Sequence, residues 1–105
     1  MIFVNIVLTT VSNQKQAEEL AEKIVEARLA ACVQILPPMT SVYVWEGKVQ
    51  KESEHLLLIK TLEEKFDELA AFITANHGYD VPEIVAIDAK NVSGPYQTWI
   101  ETVLA

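Results

Sequence analysis

Lys48-Val49-Gln50-Lys51-Glu52-Ser53-Glu54-His55-Leu56-Leu57-Leu58-Ile59-Lys60-Thr61 is the stretch whose reading decides the fold. It follows a Glu46-Gly47 pair suited to a tight hairpin turn. Its β-branched and apolar content predicts one returning strand from Lys48 to Thr61, long against a usual strand of roughly 5–6 residues. The first half is polar and the second half is a solid apolar run, Leu56 to Ile59. Such a strand belongs to a core at one end only. Its other end, with the strand it turns back from, must leave that core and meet water or another chain.

Working outward, Ser41-Val42-Tyr43-Val44-Trp45 is the partner strand of the hairpin. Pro37-Pro38 separates it from Cys32-Val33-Gln34-Ile35-Leu36. Proline donates no ladder hydrogen bond, so the pair marks a bend, bulge or sheet edge. Upstream, Ile2, Val4, Ile6 and Leu8 alternate with Phe3, Asn5, Val7 and Thr9, a strand with apolar residues on both faces. Ser12-Asn13 offers capping oxygens to a helix whose stripe is Ala17, Leu20, Ala21, Ile24 and Val25, ending near Arg28-Leu29. Downstream, a second helix is expected from Thr61 to His77, with Gly78 suited to the position after it. A strand follows over Val81–Asp88, then a last helix capped by Ser93 with Pro95 in its first turn.

The order β-α-β-β-α-β-α predicts an α+β fold, the ferredoxin-like split βαβ sandwich with an added C-terminal helix. The 105 residues are read as one domain over 1–105. Two helices cover one sheet face and nothing in the chain covers the other. Apolar residues make up 50% of the sequence, a surplus that suggests burial against a partner. A closed ring of identical subunits, with the hairpin extending a neighbour's sheet, would satisfy both needs.

Charge excludes several functions. Eight basic against fifteen acidic residues leave a net charge of −7, without the basic stripe that a nucleic-acid or anionic-membrane partner requires. Cys32 is the sole cysteine, so no intramolecular disulfide or all-cysteine zinc site can form. The first residues carry no signal-peptide pattern, which predicts a soluble cytoplasmic protein. No phosphate loop, nucleophile elbow or dinucleotide fingerprint is present, so an enzyme is not expected.

Several pieces are specific in combination: Arg28-Leu29-Ala30-Ala31-Cys32, Trp45-Glu46-Gly47-Lys48, Lys60-Thr61, and His77-Gly78-Tyr79-Asp80-Val81-Pro82-Glu83-Ile84. Together they closely resemble the CutA family of divalent-cation tolerance proteins, over essentially the whole chain. The resemblance implies a ferredoxin-like homotrimer with sheets extended between subunits. It implies binding of copper or another divalent cation and a part in metal tolerance. It also implies a fold relation to the trimeric PII signal proteins, hence an alternative reading: a signalling or scaffold trimer whose inter-subunit cleft takes a small anionic metabolite or a partner protein.

Candidate metal ligands are Cys32, as a soft copper ligand, with His77, Glu52 and Glu54. The bland reading of Cys32 is a small core residue, and that of the two glutamates is a charged strand that discourages aggregation. Candidate cleft residues are Lys60, Tyr79 and Trp45; Trp45 also suits packing between subunits. Glu52, Glu54 and Lys60 share one strand face by the period of two. His55 is expected at an interface or a wet face. Two departures from the family stand out. Its usual His-Pro-Tyr reads His77-Gly78-Tyr79, and Thr9 stands where some bacterial relatives bring a further cysteine. Copper ligation by cysteine therefore falls to Cys32 alone.

Overall fold

A computed structural model describes residues 2–105. The elements are β1 (Val4–Val11), α1 (Gln14–Glu26), β2 (Cys32–Ile35), β3 (Met39–Trp45), β4 (Lys48–Leu62), α2 (Phe66–Asn76), β5 (Val85–Asp88) and α3 (Gly94–Leu104). This is the expected α+β order, with the second expected strand divided at Pro37-Pro38. The sheet runs β2-β4-β1-β5, and β3 pairs with β4 beyond β2. All pairings are antiparallel.

The length of β4 lets it serve two partners in turn. Its distal half pairs with β3 from Trp45↔Lys48 to Met39↔Glu54, and its proximal half with β2 from Ile35↔Leu57 to Cys32↔Lys60. Val42, Val44, Trp45 and Val49 on the distal hairpin are exposed. The projecting hairpin draws the molecule out to 44 × 26 × 24 Å. Its accessible surface is 6641 Å², above the roughly 5,900 Å² expected of a compact chain this size.

The core lies between the sheet and α1 and α2. Val7, Leu57 and Ile59 from the sheet meet Ile24, Leu69 and Ile73 from the helices, all fully buried. A smaller cluster of Val4, Ala31, Leu62, Ile100 and Leu104 seats α3. Asn13 caps α1, its side chain accepting from the Gln16 amide at 2.8 Å.

The end of α1 explains Arg28. Leu29 N–H donates to Ile24 O and Arg28 N–H to Val25 O, and Arg28 takes the left-handed conformation (φ 59°) usual for glycine. Its guanidinium then donates to the Val103 carbonyl in the last turn of α3. The same left-handed conformation recurs at Glu46 (φ 52°) and Gly47 (φ 77°), which form the hairpin turn as expected.

Four details differ from the sequence reading. Thr61 and Leu62 pair with Asn5 and Val4, so β4 continues to Leu62, and a 3-10 turn (Glu63–Lys65) precedes α2. β5 begins at Val85, where its pairing with β1 starts at Leu8, and the segment bearing Pro82 lies outside the ladder. α2 ends through an extended His77 (φ −97°), so Gly78 supplies no left-handed cap. Ser93 occupies the N-cap of α3 without a side-chain capping bond.

Candidate functional site

β3 and the distal half of β4 form one wall of a groove, and the chain after α2 forms the other. Residue period two sends Ser41, Tyr43 and Trp45 of β3, with Glu52 and Glu54 of β4, to the same side. Tyr79, Asp80, Val81 and Glu83 close the groove, whose volume is about 660 Å³. Its lining carries four carboxylates and three aromatic rings but no Lys or Arg.

Glu54 forms the floor. It is only 7% exposed, and its Oε2 accepts from the Tyr79 hydroxyl at 2.7 Å. Burial alone would raise its pKa, but hydroxyls of Ser41, Tyr79 and Thr10 outweigh burial and hold the carboxyl below its usual 4.5. The Tyr79 phenol moves the opposite way. Burial, then the bond to Glu54, pushes its pKa up, so it stays a donor across the physiological range. Tyr43 is raised as well, chiefly by its bond to Glu52.

His77 sets the loop rather than lining the groove. Its Nε2 lies 2.7 Å from the Thr10 carbonyl, and its Nδ1 accepts from the Tyr79 backbone N–H at 3.0 Å. A carbonyl can only accept, so Nε2 carries the proton. Both ring nitrogens are then engaged, and the ring also leans on Tyr79 with centroids 4.6 Å apart. Neither nitrogen offers a metal a free lone pair unless this loop opens.

The remaining candidates lie elsewhere. Cys32, half-buried, is paired with Lys60 across the ladder, and Lys60 bonds to Gln34. Tyr96 sits against Cys32, and burial and that thiol raise its pKa. Lys60 is six residues along β4 from Glu54, about 20 Å at strand rise. The structure therefore brings Tyr79, Trp45, Glu52 and Glu54 together and leaves Lys60 and Cys32 outside the groove. His55, expected at an interface or a wet face, is buried within the protomer. Its Nδ1 lies 2.9 Å from the Leu36 carbonyl, at the point where Pro37-Pro38 break the ladder.

Thr10, Ser41, Asp80 and Glu83 were absent from the sequence candidates. The alternation of β3 could have flagged Ser41, but nothing local to Thr10 announces that it would reach Glu54. Among the described residues, no group of three or more His, Cys, Asp or Glu side chains converges to hold a metal ion.

The family model of the CutA1 divalent ion tolerance protein matches residues 5–103. The chain belongs to the CutA1 family. It is 46% identical over 96 residues to the chloroplastic Protein CutA of Arabidopsis thaliana, covering 91% of this chain and 53% of that protein. The divalent-cation tolerance protein CutA of Thermus thermophilus is 43% identical over 95 residues, covering 90% of this chain and 92% of that one. The crystal structure of CutA1 from Oryza sativa superposes with a TM-score of 0.96 at 42% identity, covering 99% of this chain and 95% of that chain. The chain spans about half the length of the plant relatives it matches. No helix among the described residues is long and apolar enough to cross a membrane. Membership in the CutA1 family fixes no compartment, since the Arabidopsis relative is chloroplastic.

Proposed function

We propose that this CutA1-family chain acts in divalent-cation tolerance as a cytoplasmic, non-enzymatic homotrimer of single-domain subunits, and that it binds copper or a similar ion in the groove above Glu54. The observation that carries the reading is the groove's lining of four carboxylates with no basic side chain. Glu54 is kept ionised there by hydroxyl donors, so the site holds negative charge into mild acid.

The donor set of one protomer fits a metal incompletely. Oxygen donors predominate and do not converge, both nitrogens of His77 are engaged, and the Cys32 thiol lies beyond reach. A complete site therefore takes a ligand from a second protomer. Assembly is supported by the sheet face opposite α1 and α2, which, against the expectation that nothing in the chain covers it, α3 covers at its Val4–Leu62 end only. There Ile6, Leu8, Leu56 and Leu58 are only half-buried, and Val85 and Ile87 are each 48% exposed. An apolar face of this kind needs a partner. The lone half-buried cysteine suits a reducing compartment. An anionic metabolite is disfavoured in this groove, because Lys60, its proposed anchor, lies outside.

Native mass spectrometry with Cu(II) and competing glycine tests assembly and metal count together. The expected result is a trimer that keeps a fixed number of copper ions and loses them in Glu54→Gln but not in Cys32→Ser. Loss in Cys32→Ser alone would move the site to the Cys32 end of β4. A trimer that sheds all copper to glycine would remove the metal reading.

A further inference from the structure

Glu54 is only 7% exposed, and the hydroxyls of Ser41, Tyr79 and Thr10 stand around its carboxylate. A carboxylate so enclosed has little surface to offer a cation arriving from outside. One of its neighbours must leave before it can serve as a ligand.

The three neighbours are held differently. Thr10 lies in β1 opposite Leu56, and Ser41 lies in β3 opposite Glu52. Neither backbone can withdraw from Glu54 without breaking a ladder. Tyr79 lies outside every strand and helix. Among the described residues, the segment 78–83 makes no backbone–backbone hydrogen bond. Two hydrogen bonds hold Tyr79, and both end on side chains: its hydroxyl on Glu54 Oε2 at 2.7 Å and its N–H on His77 Nδ1 at 3.0 Å. Asp80, Val81 and Glu83 are exposed. A segment with so few backbone bonds and such exposed side chains opens more readily than the fold as a whole.

Both ends of the segment are fixed. His77 is anchored to the Thr10 carbonyl at 2.7 Å, and Ile84 packs on the main core. Gly78 is the first residue past the anchored end, and a Cβ there would meet nothing within 4 Å. Glycine has the widest backbone freedom, which suits a pivot that must absorb a change of dihedral angles.

We propose that residues 78–83 form an autoinhibitory strap. Closed, the strap keeps the Tyr79 hydroxyl on Glu54; swung out about Gly78, it frees the carboxylate for a cation. The inference rests on the reading of Glu54 as a cation ligand given above, and it concerns a contact inside one protomer rather than the open volume of the groove.

Cu(II) is titrated into the assembled full chain against competing glycine, counting only the ions that Glu54→Gln loses. A cation that must displace Tyr79 binds with an affinity reduced by the fraction of straps that are open. Tyr79→Phe removes the competing bond, so Cu(II) should bind about tenfold or more tighter. Gly78→Ala leaves Glu54 untouched and stiffens the pivot without meeting another atom, so affinity should fall about two- to fivefold. Amide exchange followed by NMR supplies a reading without metal. The Tyr79 amide should exchange about a hundredfold or more faster than the amides of the central strand β1, each relative to its unprotected rate, and should respond little to low guanidinium.

Copper binding that is unchanged or weaker in Tyr79→Phe overturns the strap, because the hydroxyl then supports the site or stands aside from it. A Tyr79 amide as slow as those of β1 overturns it too, and is the result for a segment pinned by a neighbouring subunit. Tighter binding in Gly78→Ala overturns the pivot. If no copper is lost in Glu54→Gln, the metal reading alone falls, and the exchange of the Tyr79 amide decides the strap.

Discussion

Replacing Tyr79 by Phe removes one hydroxyl and leaves the ring, so it isolates the bond that joins the loop after α2 to the floor of the groove. That bond is 2.7 Å long and ends on an ionised, nearly buried carboxylate. Hydrogen bonds to charged groups contribute about 1.5–3 kcal/mol. The hydroxyls of Ser41 and Thr10 still favour the ionised Glu54, and the open groove admits water in place of the lost hydroxyl, so the lower end of the range applies. Tyr79→Phe should destabilise by about 1–2 kcal/mol near neutral pH. In a double-mutant cycle with Glu54→Gln, the coupling energy should reach about 1 kcal/mol. The assay is guanidinium unfolding at one fixed protomer concentration, since assembly would make stability concentration-dependent. The pH dependence supplies a second reading. Glu54 has a depressed folded-state pKa, so its contribution is full above the unfolded value of about 4.5 and is lost as pH falls through the folded value. The wild-type and Tyr79→Phe curves should therefore converge as pH falls through the depressed folded value of Glu54. Additivity within about 0.3 kcal/mol, or an unchanged gap in acid, would refute the assignment of this bond to an ionised Glu54.

Two further predictions concern stability. Thr9 is fully buried and its Oγ1 has no hydrogen-bond partner among the described residues, so Thr9→Val should stabilise by about 1 kcal/mol; a lowered unfolding midpoint would show that the hydroxyl is satisfied. Arg28 holds a left-handed φ of 59°, a conformation glycine adopts without strain, so Arg28→Gly should be more stable than Arg28→Ala by about 1 kcal/mol although glycine is the poorer helix residue. The opposite ranking in the same unfolding assay would contradict the strain.

Local signals carried the fold a long way. Asn13, the Glu46-Gly47 turn and the apolar stripe of α1 each act over a few residues, and each appears where its chemistry points. The proline pair also did what its missing donors require, and only the structure showed that His55, nearly twenty residues on, covers the carbonyl left at the break. Boundaries failed where a partner strand decided them. Thr61 and Leu62 have helical neighbours in sequence, but β1 offers Asn5 and Val4 as ladder partners and the strand wins. The site was legible only by face. Alternation puts Glu52, Glu54 and Lys60 on one side of β4, and strand rise already sets Lys60 about 20 Å from Glu54. Neither says anything of Tyr79, which reaches Glu54 from 25 residues away through a loop that His77 orients.

The two ends of β4 carry different chemistry, and their separation constrains any account of the CutA1-family signature residues in this chain. At the proximal end, Arg28 fastens α1 to α3, and Cys32 stands beside Lys60 and Tyr96. At the distal end, Glu54, Tyr79 and the aromatic hairpin build an acidic groove. About six residues of extended strand, roughly 20 Å, lie between them. No single ion in one protomer can use both the thiol and the buried carboxylate. A soft copper site and a carboxylate cation site are therefore alternatives within a subunit, and a ligand set that joins them requires two subunits. The projecting hairpin is the element able to make that connection. It bears Trp45 and Glu54, and it leaves Val42, Val44 and Val49 between 61% and 70% exposed, a surface whose burial demands another chain.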